Sequence, residues 1–187
     1  MFKCVLGERK SGKSVYVENY IKKIDKHALY VATLPRLTIY EKTIQSHKER
    51  RPSSWNCVEL FEMSAEEILE YPYQDYQNVI LDNLSYYVLF QMYYNKNEFI
   101  RKCDGRFVSL IDRIAAENKT TVHFIETSLH QDIFEIENGI TDQLFSRILE
   151  KAVLIERFYD EEKICTLTIK EAKEYLLNID SRERKEE

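Results

Sequence analysis

Near the start of the chain, Gly7-Glu8-Arg9-Lys10-Ser11-Gly12-Lys13-Ser14 fits the pattern G-x-x-x-x-G-K-[ST]. The chemistry it suits is the handling of a nucleoside triphosphate. Its two glycines let the backbone curl, so that the N–H groups of Glu8, Arg9, Lys10 and Ser11 face phosphate oxygens. The helix expected to follow adds its unpaired N–H donors and partial positive charge. Lys13 is then placed to reach the β- and γ-phosphates, and the Ser14 hydroxyl to complete a Mg²⁺ shell. The chain has only four glycines, where average usage would give about thirteen, and two of the four are in this loop. A further carboxylate is expected at the end of a buried strand neighbouring the loop strand. Val79-Ile80-Leu81-Asp82 supplies it, making Asp82 the second metal ligand beside Ser14.

The segment from His47 to Glu59 is the next unusual one. It holds His47, the basic residues Lys48, Arg50 and Arg51, Pro52 and the single Trp, Trp55. A histidine at the end of an amphipathic helix is commonly a solvated or capping residue. Beside a triphosphate site a neutral imidazole has another use, as a nucleophile on phosphorus, with the neighbouring cations holding the anion. His47, Lys13 and Asp82 are therefore the candidate catalytic residues.

These side chains must be positioned by regular elements. Phe2–Leu6, Ala28–Thr33, Cys57–Phe61, Val79–Leu81 and Thr121–Glu126 read as strands, and Val153–Phe158 with Lys163–Ile169 as a closing strand pair around Asp160-Glu161-Glu162. Helices are expected over Ser14–Ile24, Thr38–Arg50, Tyr86–Tyr94, Glu98–Asn118 and Thr141–Lys151, with Ser64 capping a short one. On the second of these, Ile39, Tyr40, Thr43 and Ile44 are expected to face inward. The alternation predicts one α/β domain over residues 1–179, a P-loop fold with a mainly parallel sheet and helices on both faces. The tail 180–187 has seven charged residues in eight and is expected to be disordered.

Composition limits the partners. With 27 Lys+Arg against 32 Asp+Glu the net charge is −5, which argues against general binding to nucleic acid or anionic membrane. No apolar run is long enough for a membrane span, and no secretory leader opens the sequence, so a cytoplasmic location is expected. Cys4, Cys57, Cys103 and Cys165 have neither zinc nor redox spacing and read as reduced, buried thiols.

From residue 1 to about residue 95 the sequence resembles the bifunctional adenosylcobinamide kinase/adenosylcobinamide-phosphate guanylyltransferase family. The likeness rests on Ser11-Gly12-Lys13-Ser14, on Leu29-Tyr30-Val31-Ala32-Thr33, and on H-x-x-x-R-P-x-x-W-x-x-x-E running from His47 through Arg51, Pro52 and Trp55 to Glu59. The resemblance implies a RecA-like fold, a trimer, and ATP or GTP as substrate with Mg²⁺. It also implies phosphorylation of a corrinoid hydroxyl, then transfer of GMP from GTP through a phosphoramidate on His47. Lys48, Arg51 and Glu59 join the nucleotide-binding set on the same ground. Departures are concentrated on the acceptor side: Thr38, Ile39 and Thr43 replace acidic residues and an arginine. The family's T-N-E-V-G becomes Glu126-Thr127-Ser128-Leu129-His130, and only Gly139 and Gln143 remain of a later G-x-x-N-Q stretch. Two other readings stay open, a P-loop kinase for a different hydroxyl and a non-catalytic nucleotide-binding module.

If the loop grips phosphate, Lys13→Ala weakens triphosphate binding far more than nucleoside binding, because it removes a charged phosphate contact. Calorimetry with GTP and guanosine checks this, and equal GTP affinities in mutant and wild type would contradict it.

Overall fold

The computed structural model describes residues 1–84, 86–88, 90–91, 112, 119–127, 146–158 and 164–177. Its strands are β1 (Phe2–Gly7), β2 (Leu29–Ala32), β3 (Asn56–Glu59), β4 (Asn78–Asp82), β5 (Thr121–Thr127), β6 (Ala152–Phe158) and β7 (Ile164–Thr166). They form one seven-stranded sheet in the order β3-β2-β4-β5-β1-β6-β7. All neighbours are parallel except β6 and β7. Among the described helices are α1 (Lys13–Ile24), α2 (Glu41–Arg50), α3 (Ala65–Glu70) and α4 (Ile169–Leu177).

Side-chain alternation along the strands divides the core between the two faces of the sheet. Phe2, Cys4, Leu6, Leu29, Val31, Val79 and Phe124 pack on one face. Val5, Tyr30, Ile80, Ile125 and Phe158 pack on the other, against Val17 and Ile21 of α1. Tyr30 therefore faces α1 because its neighbours Leu29 and Val31 face away. The parallel strands all deliver their carboxyl ends to one edge, which is where an open α/β sheet takes its ligand.

The mainly parallel α/β domain agrees with expectation, and several details do not. β4 is not next to the phosphate-loop strand: β5 lies between them, paired Leu6↔Glu126 on one side and Leu81↔Phe124 on the other. The chain goes on helically after β7, in α4, where a strand was expected up to Ile169. β3 stops at Glu59 and gives way to a 3-10 turn over Leu60–Glu62. Thr38–Tyr40 is a separate 3-10 turn before α2, and neither segment buries a residue; Ile39 is 76% exposed. The inward face expected for α2 does not exist, because the helix stands over the site and not on the sheet. Cys4 is buried as expected, but Cys57 is exposed on the edge strand β3 and Cys165 half-buried. The Ser64 capping box is present as read. The helix expected over Glu98–Asn118 is described only at Asp112, which is helical. The turn at Asp160–Glu162, the Gly139–Gln143 stretch, Cys103 and the tail 180–187 lie outside the described residues. No helix among the described residues is long and apolar enough to cross a membrane.

Burial leaves a pH signature in β5. His123 is 2% exposed, with Nε2 3.0 Å from Asn78 Oδ1. Burial, then the charges of Lys3 and the N-terminal amine, push its pKa down to about 4. A folded pKa below the unfolded value near 6.5 means the neutral ring's contribution is present above about pH 6.5. It is lost as pH falls through 4, and amounts to about 3 kcal/mol at full effect. Urea titrations of His123→Gln are expected to show a flatter stability profile between pH 6.5 and 4 than wild type; parallel profiles would contradict this.

Candidate active site

The phosphate loop spans the carboxyl end of β1 and the start of α1, and two of its residues adopt positive φ: Lys10 at 64° and Gly12 at 92°. Gly12 is the N-cap of α1 and its carbonyl accepts from Tyr16 N–H at 2.9 Å, so glycine here opens the helix in a left-handed conformation. Gly7 is needed for a different reason. A Cβ there would lie 2.6 Å from the Phe158 carbonyl oxygen at the end of β6. Lys13 is buried and its Nζ donates to the Glu8 carbonyl at 2.6 Å. Burial pushes the Lys13 pKa down, and the charges of Asp82, Glu126 and Glu8 act in the opposite sense. The Glu8 side chain is engaged elsewhere, accepting from Tyr175 Oη of α4 at 2.9 Å.

A cavity of about 380 Å³ opens above this loop. Arg9 through Ser14 line it, and so do His47, Lys48, Arg51, Glu59 and Asp82. Of the residues expected from the sequence, only Gly7 and Glu8 are not on its wall; they shape the loop from behind. Trp55 is also off the wall: it is buried and donates from Nε1 to the Asp25 carbonyl at 3.2 Å, anchoring the entry to β3. Tyr40 of the preceding 3-10 turn and Thr43 and Ile44 of α2 line the cavity in place of the core contacts expected of them.

His47 stands where α1, β2 and β4 meet. Among the described residues every hydrogen bond of its ring is made by Nδ1, which lies 3.0 Å from Tyr30 Oη, 3.3 Å from Glu18 Oε1 and 3.0 Å from Arg50 Nη2. Asp82 Oδ2 is 3.7 Å away and accepts from Tyr30 Oη at 2.7 Å. Burial, reinforced by Asp82, drives the Tyr30 pKa far above the usual phenol value, so this hydroxyl keeps its proton. Arg51 stacks on the Tyr30 ring at 4.1 Å and donates to the His47 carbonyl and to Cys57 Sγ, closing the last turn of α2 over β2. Across the cavity mouth Glu59 accepts from Arg36 Nε at 2.7 Å and sits 3.7 Å from Lys48 Nζ. These contacts, the Arg36 hydrogen bond first, hold its carboxyl below the usual range.

Three participants were not legible as site residues. Glu18 is four residues after Ser14 and so shares its face of α1, a signal hidden by reading that helix only for apolar residues. Tyr30 looked like part of an apolar strand. Thr127, whose hydroxyl donates to Asn83 Oδ1 at 3.0 Å, lies on β5, the strand not expected beside the loop.

Over residues 3–155 the sequence matches the family described as cobinamide kinase / cobinamide phosphate guanyltransferase. The chain belongs to that family. Membership makes it a kinase and guanylyltransferase of cobalamin biosynthesis. None of the curated proteins matches the sequence significantly. Among solved structures it is similar to the RadB recombinase at 13% identity and a TM-score of 0.50, over 88% of this chain and 79% of that one. At that identity the likeness is of fold alone, and it supports the RecA-like P-loop architecture.

Gly7→Ala is expected to lower stability by about 1–3 kcal/mol and to weaken GTP binding, because the loop must move off Phe158 to seat the methyl group. Unchanged melting temperature and unchanged GTP affinity would show that the close approach does not matter.

Proposed function

We propose that the cavity binds GTP or ATP through Lys13, Ser14 and the loop N–H groups, and that His47 accepts GMP from GTP. The observation that carries this reading is that His47 and the phosphate loop line one cavity. Phosphorylation of a cobinamide hydroxyl and guanylylation of the product would then share one phosphate clamp.

A divalent ion suits the residues present. Asp82 Oδ1 is buried and has no hydrogen-bond partner among the described residues, although its other oxygen is bonded to Tyr30. An acceptor left this way fits a hard cation, and Mg²⁺ takes few protein ligands beside phosphate and water. Asp82 and Ser14 would hold it, and its chemistry there is neutralisation of triphosphate charge.

The protein's own groups divide between the two half-reactions. Lys13 and the loop hold phosphate charge in both, and positioning of the acceptor hydroxyl is all that phosphoryl transfer adds. Guanylyl transfer also needs a nucleophile, and His47 supplies it. The acceptor is taken to be adenosylcobinamide or a related corrinoid; the cavity wall at Tyr40, Thr43, Ile44 and Tyr86 offers apolar and hydroxyl surface.

The half-reactions are therefore expected to separate by mutation. His47→Ala abolishes labelling of the protein by α-³²P-GTP while acceptor phosphorylation stays within about tenfold, or about 1.4 kcal/mol of barrier. Asp82→Asn depresses both. A folded His47→Ala protein lacking both activities would mean that His47 holds the shared triphosphate, and the nucleophile assignment would fail.

A further inference from the structure

Glu18 is a carboxylate with no exposed side-chain surface, on a helix that otherwise buries Lys13, Val17 and Ile21. A charge in that position demands partners, and both come from the last turn of α2. Arg50 donates from Nε to Oε2 at 2.9 Å and from Nη2 to Oε1 at 3.3 Å, and His47 Nδ1 lies 3.3 Å from Oε1. Burial alone would push the Glu18 pKa up, but the hydrogen bonds from His47 and Arg50 outweigh it and hold the group ionised below the usual range.

The hydrogen-bond partners around His47 favour one place for its proton. The one Tyr30 hydroxyl proton goes to Asp82 Oδ2, so the phenol oxygen faces Nδ1 as an acceptor. Glu18 Oε1 is an acceptor as well. Only Arg50 Nη2 faces Nδ1 as a donor, at 3.0 Å, and its second N–H is directed to Glu18 Oε1 at 3.3 Å. Two oxygen acceptors against one donor favour the proton on Nδ1, which leaves the lone pair on Nε2.

Resting on the reading that His47 carries GMP, we propose that Glu18 is a positioning residue. With Tyr30 it holds His47 in the Nδ1–H tautomer, and its charge faces the imidazolium that forms during transfer. The Nε2 lone pair attacks the α-phosphorus, the P–N bond forms, and the bond from α-phosphorus to the bridging oxygen breaks. Pyrophosphate leaves with that electron pair. Nδ1 keeps its proton throughout, so the ring gains one positive charge beside the Glu18 carboxylate. Attack by the acceptor's phosphate oxygen breaks the P–N bond and returns the pair to Nε2, with no proton moved from His47. A carboxylate behind an imidazole has this orienting and charge-balancing effect in hydrolytic triads.

Two measurements test it. The first is ¹⁵N NMR of histidine-labelled wild-type protein, with His47 assigned from the spectrum of His47→Gln; a protonated Nδ1 and bare Nε2 in the neutral ring are expected, and the reverse tautomer overturns the proposal. The second is the single-turnover rate of α-³²P-GTP labelling in the isosteric Glu18→Gln. The maximal rate is expected to fall about tenfold or more, with the GTP concentration for half-maximal rate moving less than about threefold. Wild-type rates in Glu18→Gln overturn the role of Glu18 alone. If wild-type protein takes no label, the nucleophile reading fails and the proposal fails with it. If Glu18→Gln does not fold, the wild-type tautomer decides.

Discussion

The site depends on the buried charge of Glu18. Helix α2 buries no residue, so among the described residues no apolar packing fastens it to the sheet. What fastens it is the chain of polar contacts at its last turn: Arg50 and His47 to Glu18, His47 to Tyr30, and Arg51 across the Tyr30 ring. Breaking one member of a buried ion pair costs about 3–5 kcal/mol, because the remaining charge is left desolvated. Arg50 is partly exposed, which lowers that figure here, but the fully buried Glu18 still requires its partners from α2. It also means that the residue proposed as nucleophile is located by electrostatics and not by shape.

Everything else at the site follows from the sheet that presents it. Parallel pairing of β2 with β4 sets Ala32 beside Asp82, and one pleat back Tyr30 points to the α1 face, from which its hydroxyl reaches the carboxylate. The side chain of Thr33 donates to the Asp82 carbonyl, tying the two strand ends together. On the far side β6 presses on Gly7, and α4 reaches Glu8 through Tyr175, whose ring also stacks under Arg157 at 4.0 Å. The phosphate loop is thus braced by residues beyond 155, past the end of the family match.

The parts legible in the sequence are those with local signatures. A glycine-rich loop between a strand and a helix needs no tertiary knowledge, and the buried strands β1, β4 and β5 are apolar runs interrupted only by Lys3 and His123. The spacing from His47 to Glu59 was also legible, and its two ends and Arg51 line the same cavity. Strand order was not, because no local residue property says that β5 enters between β1 and β4. Glu18 and Tyr30 were missed for a related reason: each acts through a partner 29 or 17 residues away in sequence. Ile39, Tyr40, Thr43 and Ile44 misled because apolar periodicity reports a face that avoids water, without saying whether core or open cavity covers it.

The central claim is that His47 carries the nucleotide. The most direct measurement is intact-mass and peptide mass spectrometry of the full chain after incubation with GTP and Mg²⁺. One added GMP on the peptide bearing His47 is expected, lost in acid because protonation makes the imidazole a good leaving group, and retained in base. No added mass, or GMP fixed to another residue, would contradict the account.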